Sequence, residues 1–194
     1  MMDHPAIPCP WAISQGRPIC QAVNSRNQVS LCYPVTSISY QYWHAENFAV
    51  VKSNTNFDLV VNLNNFEAGA FANPSSNFLG APQQLGERGT ILGYIRLVIQ
   101  EVDTFRDLNP IDPNIFAFFR SANSIAVDGA VRTTVATGLA NGTYRIAAMM
   151  TTSNHQPILF PVEQRGAAHD VVYVCILLML STVCFDKQIQ DYCQ

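Results

Sequence analysis

The stretch TILGYIRLVIQEV, from Thr90 to Val102, decides the fold. Ile91, Gly93, Ile95, Leu97 and Ile99 alternate there with Leu92, Tyr94, Arg96, Val98, Gln100 and Val102. A two-residue period marks an extended strand, because successive side chains leave the backbone on opposite sides. Both sets are partly apolar, which predicts a central strand with both faces covered. Upstream, FDLVVNL places Phe57, Leu59, Val61 and Leu63 on one face. Phe48, Val50 and Val51 open a further strand before it, and Asn54-Thr55-Asn56 is a turn signal.

Downstream, apolar or alternating runs predict strands at Ile115–Phe119, Val131–Val135, Thr143–Met149, Ile158–Val162 and Val171–Val174. The segment 72–89 is rich in Pro and Gly and reads as a long loop, with one short strand near Phe78. Asn109-Pro110 and Asp112-Pro113 close another connection, since the residue before a proline is held extended. Asn141-Gly142 predicts a tight hairpin joining the strand at 131–135 to the one at 143–149. About seven or eight strands with a turn every ~8–12 residues, and no helical period, predict an all-β fold. The expected architecture is an antiparallel immunoglobulin-like β-sandwich over residues 45–174, with a barrel as the alternative. Residues 1–44 are expected to be an irregular extension, broken by Pro5, Pro8, Pro10, Pro18 and Pro34. Residues 175–194 form an apolar, cysteine-containing tail.

Only 13% of residues are charged, against about 25% in an average soluble domain. Hydrophobic residues make up 48%, so the chain has ample material for a core and a weakly charged surface rich in amides and hydroxyls. Such a surface leans towards an extracellular or wall environment. With 11 Lys+Arg against 14 Asp+Glu and no basic run, nucleic acid is not an expected partner. Residues 1–30 lack the apolar stretch of a signal peptide. The apolar run Val171–Val183 is shorter than the ~20 residues of a membrane span and reads as a buried strand entering an apolar tail. The six cysteines, Cys9, Cys20, Cys32, Cys175, Cys184 and Cys193, all lie towards the ends, and their even number fits an oxidising compartment. They form no zinc pattern, and neither metal nor cofactor is expected.

No catalytic constellation stands out. Asn141-Gly142-Thr143 is an N-glycosylation sequon on the predicted hairpin, and the same residues also serve simply as a turn. His155 and Gln156, in the turn Asn154-His155-Gln156-Pro157, are candidate ligand-binding residues. A lone histidine without an acidic partner is more commonly a surface or hydrogen-bonded residue. Arg165, in Gln164-Arg165-Gly166, is a third candidate, for a carboxylate or a sugar, against the commoner solvated arginine of a turn. His169 and Asp170 are neighbours on a strand and point apart. Asp103, Asp107 and Asp112 with Asn109 and Asn114 make an oxygen-rich loop, but the spacing is not that of an EF-hand and its prolines account for it as a connector.

Five segments, GYIRLVIQ (93–100), DPNIFAFF (112–119), GLANGTYR (138–145), NHQP (154–157) and PVEQRG (161–166), occur in an order and spacing that resembles a group of secreted fungal proteins. Some members carry a ribosomal-protein label, which the acidic charge and the cysteines here speak against. The likeness runs from about Asn47 to Val172 and implies a fungal, secreted or wall-associated protein with no known active site. In the group's pattern the central strand reads Gly-His-x-His-Val, where histidines two apart share a face and could hold a metal; Tyr94 and Arg96 stand at those positions here. Cysteines of the group fall near Ala147 and Val171, and this chain has neither. The likeness ends near Tyr173, and Val174-Cys175 can be encoded by GTATGT, a common fungal intron start, so the tail is read as translated intron or a misjoined exon.

The expected function is therefore a non-enzymatic secreted or cell-wall protein with a structural or binding role, its partners wall polysaccharide or other surface proteins. The runner-up is a carbohydrate-binding module or an enzyme acting on wall polysaccharide, with Tyr40, Tyr42 and Trp43 as a candidate aromatic platform. An intracellular regulatory module is a third reading.

Overall fold

The computed structural model describes residues 33–40 and 43–45 as backbone, and 47–80, 82–87, 89–105, 108–160 and 169–178 in full. Among the described residues, ten strands and one helical turn follow in order: β1 (Tyr33–Tyr40), β2 (Trp43–Ala45), β3 (Ala49–Lys52), β4 (Phe57–Asn64), β5 (Phe66–Ala68), α1 (Pro74–Asn77), β6 (Ile91–Val102), β7 (Phe118–Ala122), β8 (Ala130–Val135), β9 (Gly142–Thr152) and β10 (His169–Leu177). The fold is all-β. A four-stranded sheet runs β2-β1-β4-β8, and a larger six-stranded sheet runs β3-β10-β9-β6-β5, with β7 also paired to β6.

The two sheets share one core. Phe57, Leu59 and Val61 of β4 and Val131 and Val135 of β8 meet Ile95, Leu97 and Ile99 of β6, Ile146, Ala148 and Met150 of β9, and Val174 and Ile176 of β10. Leu59, Ile95, Leu97, Ile99 and Ile146 are fully shielded from solvent. Each such side chain contributes about 1.5–3 kcal/mol when removed from water. The two-residue period did its expected job, and β6 is central, with β9 on one edge and β5 and β7 on the other. In the same core, burial first and the nearby Glu101 carboxylate second hold the Tyr144 phenol above its ordinary value of 10.0.

Several expectations are corrected. The large sheet is mixed rather than antiparallel, since β3 pairs β10 and β5 pairs β6 in parallel. Two strands lie inside the stretch expected to be irregular. The sequence YPVTSISY has no apolar alternation, and β1 is held instead by its backbone ladder to β4 from Tyr33↔Asn64 to Ser39↔Asp58. Pro34 is tolerated because β2 pairs only with Ile38–Tyr40, so among the described residues the other edge of β1 has no strand partner at residue 34. At the other end β10 continues to Leu177, with Cys175 and Ile176 buried, so the break expected at Val174-Cys175 falls inside a core strand.

The expected hairpin at Asn141-Gly142 is a crossover. β8 pairs β4 in the small sheet while β9 pairs β6 and β10 in the large one. The positive backbone angle of this connection falls on Gly138 (φ 64°), where a Cβ would come within 2.4 Å of the Thr55 nitrogen. The short strand expected near Phe78 is instead α1, with Pro74 in the first turn and the Asn73 side chain accepting from the Ser75 N–H at 3.0 Å. β7 is displaced three residues from the apolar run at 115–119, and Ile115 and Phe116 are exposed. In the expected strand at 158–162, the described residues pair through a side chain: Gln83 donates to the Leu159 carbonyl (3.1 Å) and accepts from its N–H (2.8 Å), as a neighbouring strand would.

Candidate functional site

The outer face of the large sheet, turned away from the shared core, carries the candidate site. Its pattern follows from register. Phe119 of β7 lies opposite Val98 of β6, Val98 opposite Ala147 of β9, and Ala147 opposite Val171 of β10. Residues directly opposite one another point to the same side of a sheet. The four form one apolar row across four strands, with Phe119 48% and Val171 40% exposed and the two central residues half-buried. The row beside it reads Ser121, Arg96, Met149, His169.

A wall rises at each end of this floor. At the first, the loop 69–80 and the turn 152–156 close over Tyr94. The Tyr94 hydroxyl lies 2.8 Å from His155 Nδ1 and accepts from Arg96 Nε at 3.0 Å. His155 Nε2 is 2.8 Å from the Ala72 carbonyl, which can only accept, so Nε2 bears the hydrogen and Nδ1 accepts from the tyrosine. Arg96 Nη2 donates to the His155 carbonyl at 3.0 Å, and its guanidinium carbon lies 5.8 Å from the Tyr94 ring centre. Phe71 meets Tyr94 and His155 edge-on at 4.8 and 5.0 Å, and Phe78 stacks on His155 at 5.7 Å. Backbone bonds from Ala72 N to Ser153 O and from Leu79 N to Asn154 O tie loop to turn. His155 and Leu79 both hold positive φ, 78° and 56°, a conformation of a kind concentrated at functional positions.

At the second wall, buried Gln100 donates to the carbonyls of Asp112 and Ile115, both at 3.1 Å, and accepts from Arg145 Nη2 at 2.6 Å. These bonds fold the connection after β6 back onto the sheet. Phe105 packs edge-on against Phe48 and Tyr173 beside it. The rows of Tyr94 and Gln100 are six residues apart, so about 20 Å of strand separates the two walls.

Of the residues singled out in sequence, His155 and Gln156 belong to the first wall: His155 is buried and doubly hydrogen-bonded, and the Gln156 carbonyl closes its turn onto Thr152 N at 3.0 Å. Asn141 is exposed on the crossover, away from the floor. Arg165 lies outside the described residues, as do Tyr42 and the side chains of Tyr40 and Trp43. Asp112 Oδ1 accepts from Asn114 N and Nδ2, which makes that part of the oxygen-rich loop an internal cap. Phe71, Phe78, Phe119 and Val171 were missed, and only the even-numbered residues of β6 hinted at a second occupied face.

A family model described as the CLU5d N-terminal domain matches residues 41–177. The chain belongs to this family. The match ends on the last residue of β10 and covers every strand of the large sheet. Among the proteins similar to the chain is "Pathogenicity cluster 5 protein d" of Colletotrichum graminicola, 37% identical over 123 residues. The aligned segment covers 62% of this chain and 26% of that relative, so the chain spans about a quarter of its length. A fungal protein is thus among its relatives, as the resemblance implied, and the ribosomal label finds no support in either match. Within this CLU5d-type domain Ala147 and Val171 are direct cross-strand partners.

Proposed function

We propose that this CLU5d-type domain is a non-enzymatic, secreted or wall-associated binding domain whose outer sheet face takes a polysaccharide of the cell wall. The observation that carries this reading is the half-open apolar row Phe119–Val98–Ala147–Val171, recessed between two walls that are each fixed by buried polar side chains. Such a contiguous apolar patch with a polar rim marks an interaction site. A trough crossing the strands suits an extended polymer, whose sugar rings present C–H faces to apolar side chains and hydroxyls to the rim. Among the described residues, no two carboxylates stand on this floor, which favours binding over the acid–base chemistry of polysaccharide cleavage. Cys175 is disulfide-bonded, which supports an oxidising compartment.

The test is retention of the full chain on a panel of insoluble wall polysaccharides, neutral and acidic. Retention on at least one member, abolished by Phe119→Ser with Val171→Ser in a protein that remains folded by circular dichroism, is the expected result. Retention on none, or capture only by surface proteins, defeats the proposal.

A further inference from the structure

The charge on the outer face identifies the class of polysaccharide, on the premise that this face binds one. The chain is acidic, with a net charge of −3. Yet no outward position of β6, β7, β9 or β10 holds Asp or Glu, while Arg96, Arg145 and His169 all point that way. The first wall continues the pattern, since neither loop 69–80 nor turn 152–156 contains a carboxylate. Of the described acidic residues near the trough, Asp103 and Asp112 belong to the second wall, where Asp112 is engaged by Asn114, and Glu67 of β5, opposite the outward Leu92, lies beyond the Tyr94 row, where its carboxylate accepts from Thr90 Oγ1 at 3.2 Å.

Among the described residues, neither arginine has a carboxylate partner. Arg96 spends Nε on Tyr94 and Nη2 on the His155 carbonyl, and Arg145 spends Nη2 on Gln100. All three acceptors are uncharged. A guanidinium has five N–H groups, so Nη donors remain on both residues, while Arg145 Nε is buried without a hydrogen-bond partner. Half-buried cations held in place and left without a counter-charge attract an anion whose carboxylates can be gripped in bidentate fashion. Arg145 is opposite Gln100, four residues along β6 from Arg96, which sets the two cations about 13 Å apart along the strand direction. The apolar row lies between them.

We infer that the outer face binds an acidic polysaccharide, a chain of uronic-acid sugars, with carboxylates on Arg96 and Arg145 and ring faces against Val98, Ala147 and Val171. Nucleic acid is disfavoured because two arginines on an acidic chain neutralise too few phosphates. A bilayer surface cannot reach a floor recessed between two walls. An acidic peptide would find no backbone partners there, since the main-chain groups of β6 and β9 are already spent on their ladders.

Affinity electrophoresis of the full chain through gels containing polygalacturonate, a neutral β-glucan or no polymer tests this inference. Polygalacturonate is expected to retard the protein and β-glucan to retard it far less, with retardation falling as salt is raised. Arg96→Gln and Val98→Glu are each expected to weaken polygalacturonate binding by about tenfold or more, and Arg96→Lys less than Arg96→Gln. Thermal unfolding of each variant shows that the protein tested is folded. Equal retardation by both polymers, equal binding of DNA, or full binding by folded Arg96→Gln and Val98→Glu would overturn the inference. Binding to β-glucan alone would overturn it while leaving the proposed polysaccharide-binding function standing. Retardation by no polymer, together with no retention on the wall panel, would remove both.

Discussion

On β6, inward Ile95, Leu97 and Ile99 and outward Tyr94, Arg96, Val98 and Gln100 come from the same twelve residues yet obey different rules. The inward set is shielded by close apolar packing from both sheets, with energy proportional to the area removed from water. The outward set is held by directed bonds: Arg96 to Tyr94, Tyr94 to His155, Gln100 to two carbonyls and to Arg145. Apolar packing tolerates a change of shape better than a change of volume. A hydrogen-bonded chain tolerates neither the loss nor the rotation of a single donor, and for that reason it can hold a guanidinium in one place for a ligand.

Substitutions on the two faces should separate these rules. Leu97→Ala opens a cavity in the shared core and is expected to lower unfolding free energy in urea by about 2–5 kcal/mol. A loss below 1 kcal/mol would mean that the sheets do not interdigitate there. Next, Ala147→Cys with Val171→Cys places thiols on directly opposed residues and is expected to add about 2–4 kcal/mol under oxidising conditions. If the double variant gains nothing over its reduced form, the β9–β10 register, and with it the continuity of the outer row, is wrong. The smallest effect is expected from Tyr94→Phe, which keeps the ring but leaves His155 Nδ1 and Arg96 Nε without their partner, at a cost of about 1–3 kcal/mol. Unchanged urea stability would show that the outer bonds are decorative, and the contrast between the faces would dissolve.

The core was readable one residue at a time. Phe57, Leu59, Ile95, Leu97 and Ile146 follow the two-residue period, and all are buried. β1 was not readable, because its Ser and Thr positions carry no apolar signal and its strand state is imposed by β4. In 115–119 the apolar run misled. Ala117 N bonds to the Ile99 carbonyl and sets a register in which Phe118 and Ala122 face the core while Phe119 faces outward. At Asn141-Gly142 a strong local turn signal was overridden, since the chain there passes between sheets and the tight approach to Thr55 falls on Gly138. Within the site, the sequence singled out His155 but gave no reason to join it to Tyr94, 61 residues away.

By itself, then, the order of residues determined which side chains leave water, because alternation along a strand is a local property that each segment carries alone. The tertiary structure decided which of the remaining side chains meet. Phe119, Val98, Ala147 and Val171 become one row, and Arg96 and Arg145 come to flank it, only through registers fixed jointly by backbone ladders and core fit. Since a slip of one residue would turn every side chain of a strand to the opposite face, that outer surface is a property of the assembled sheet and of no single segment.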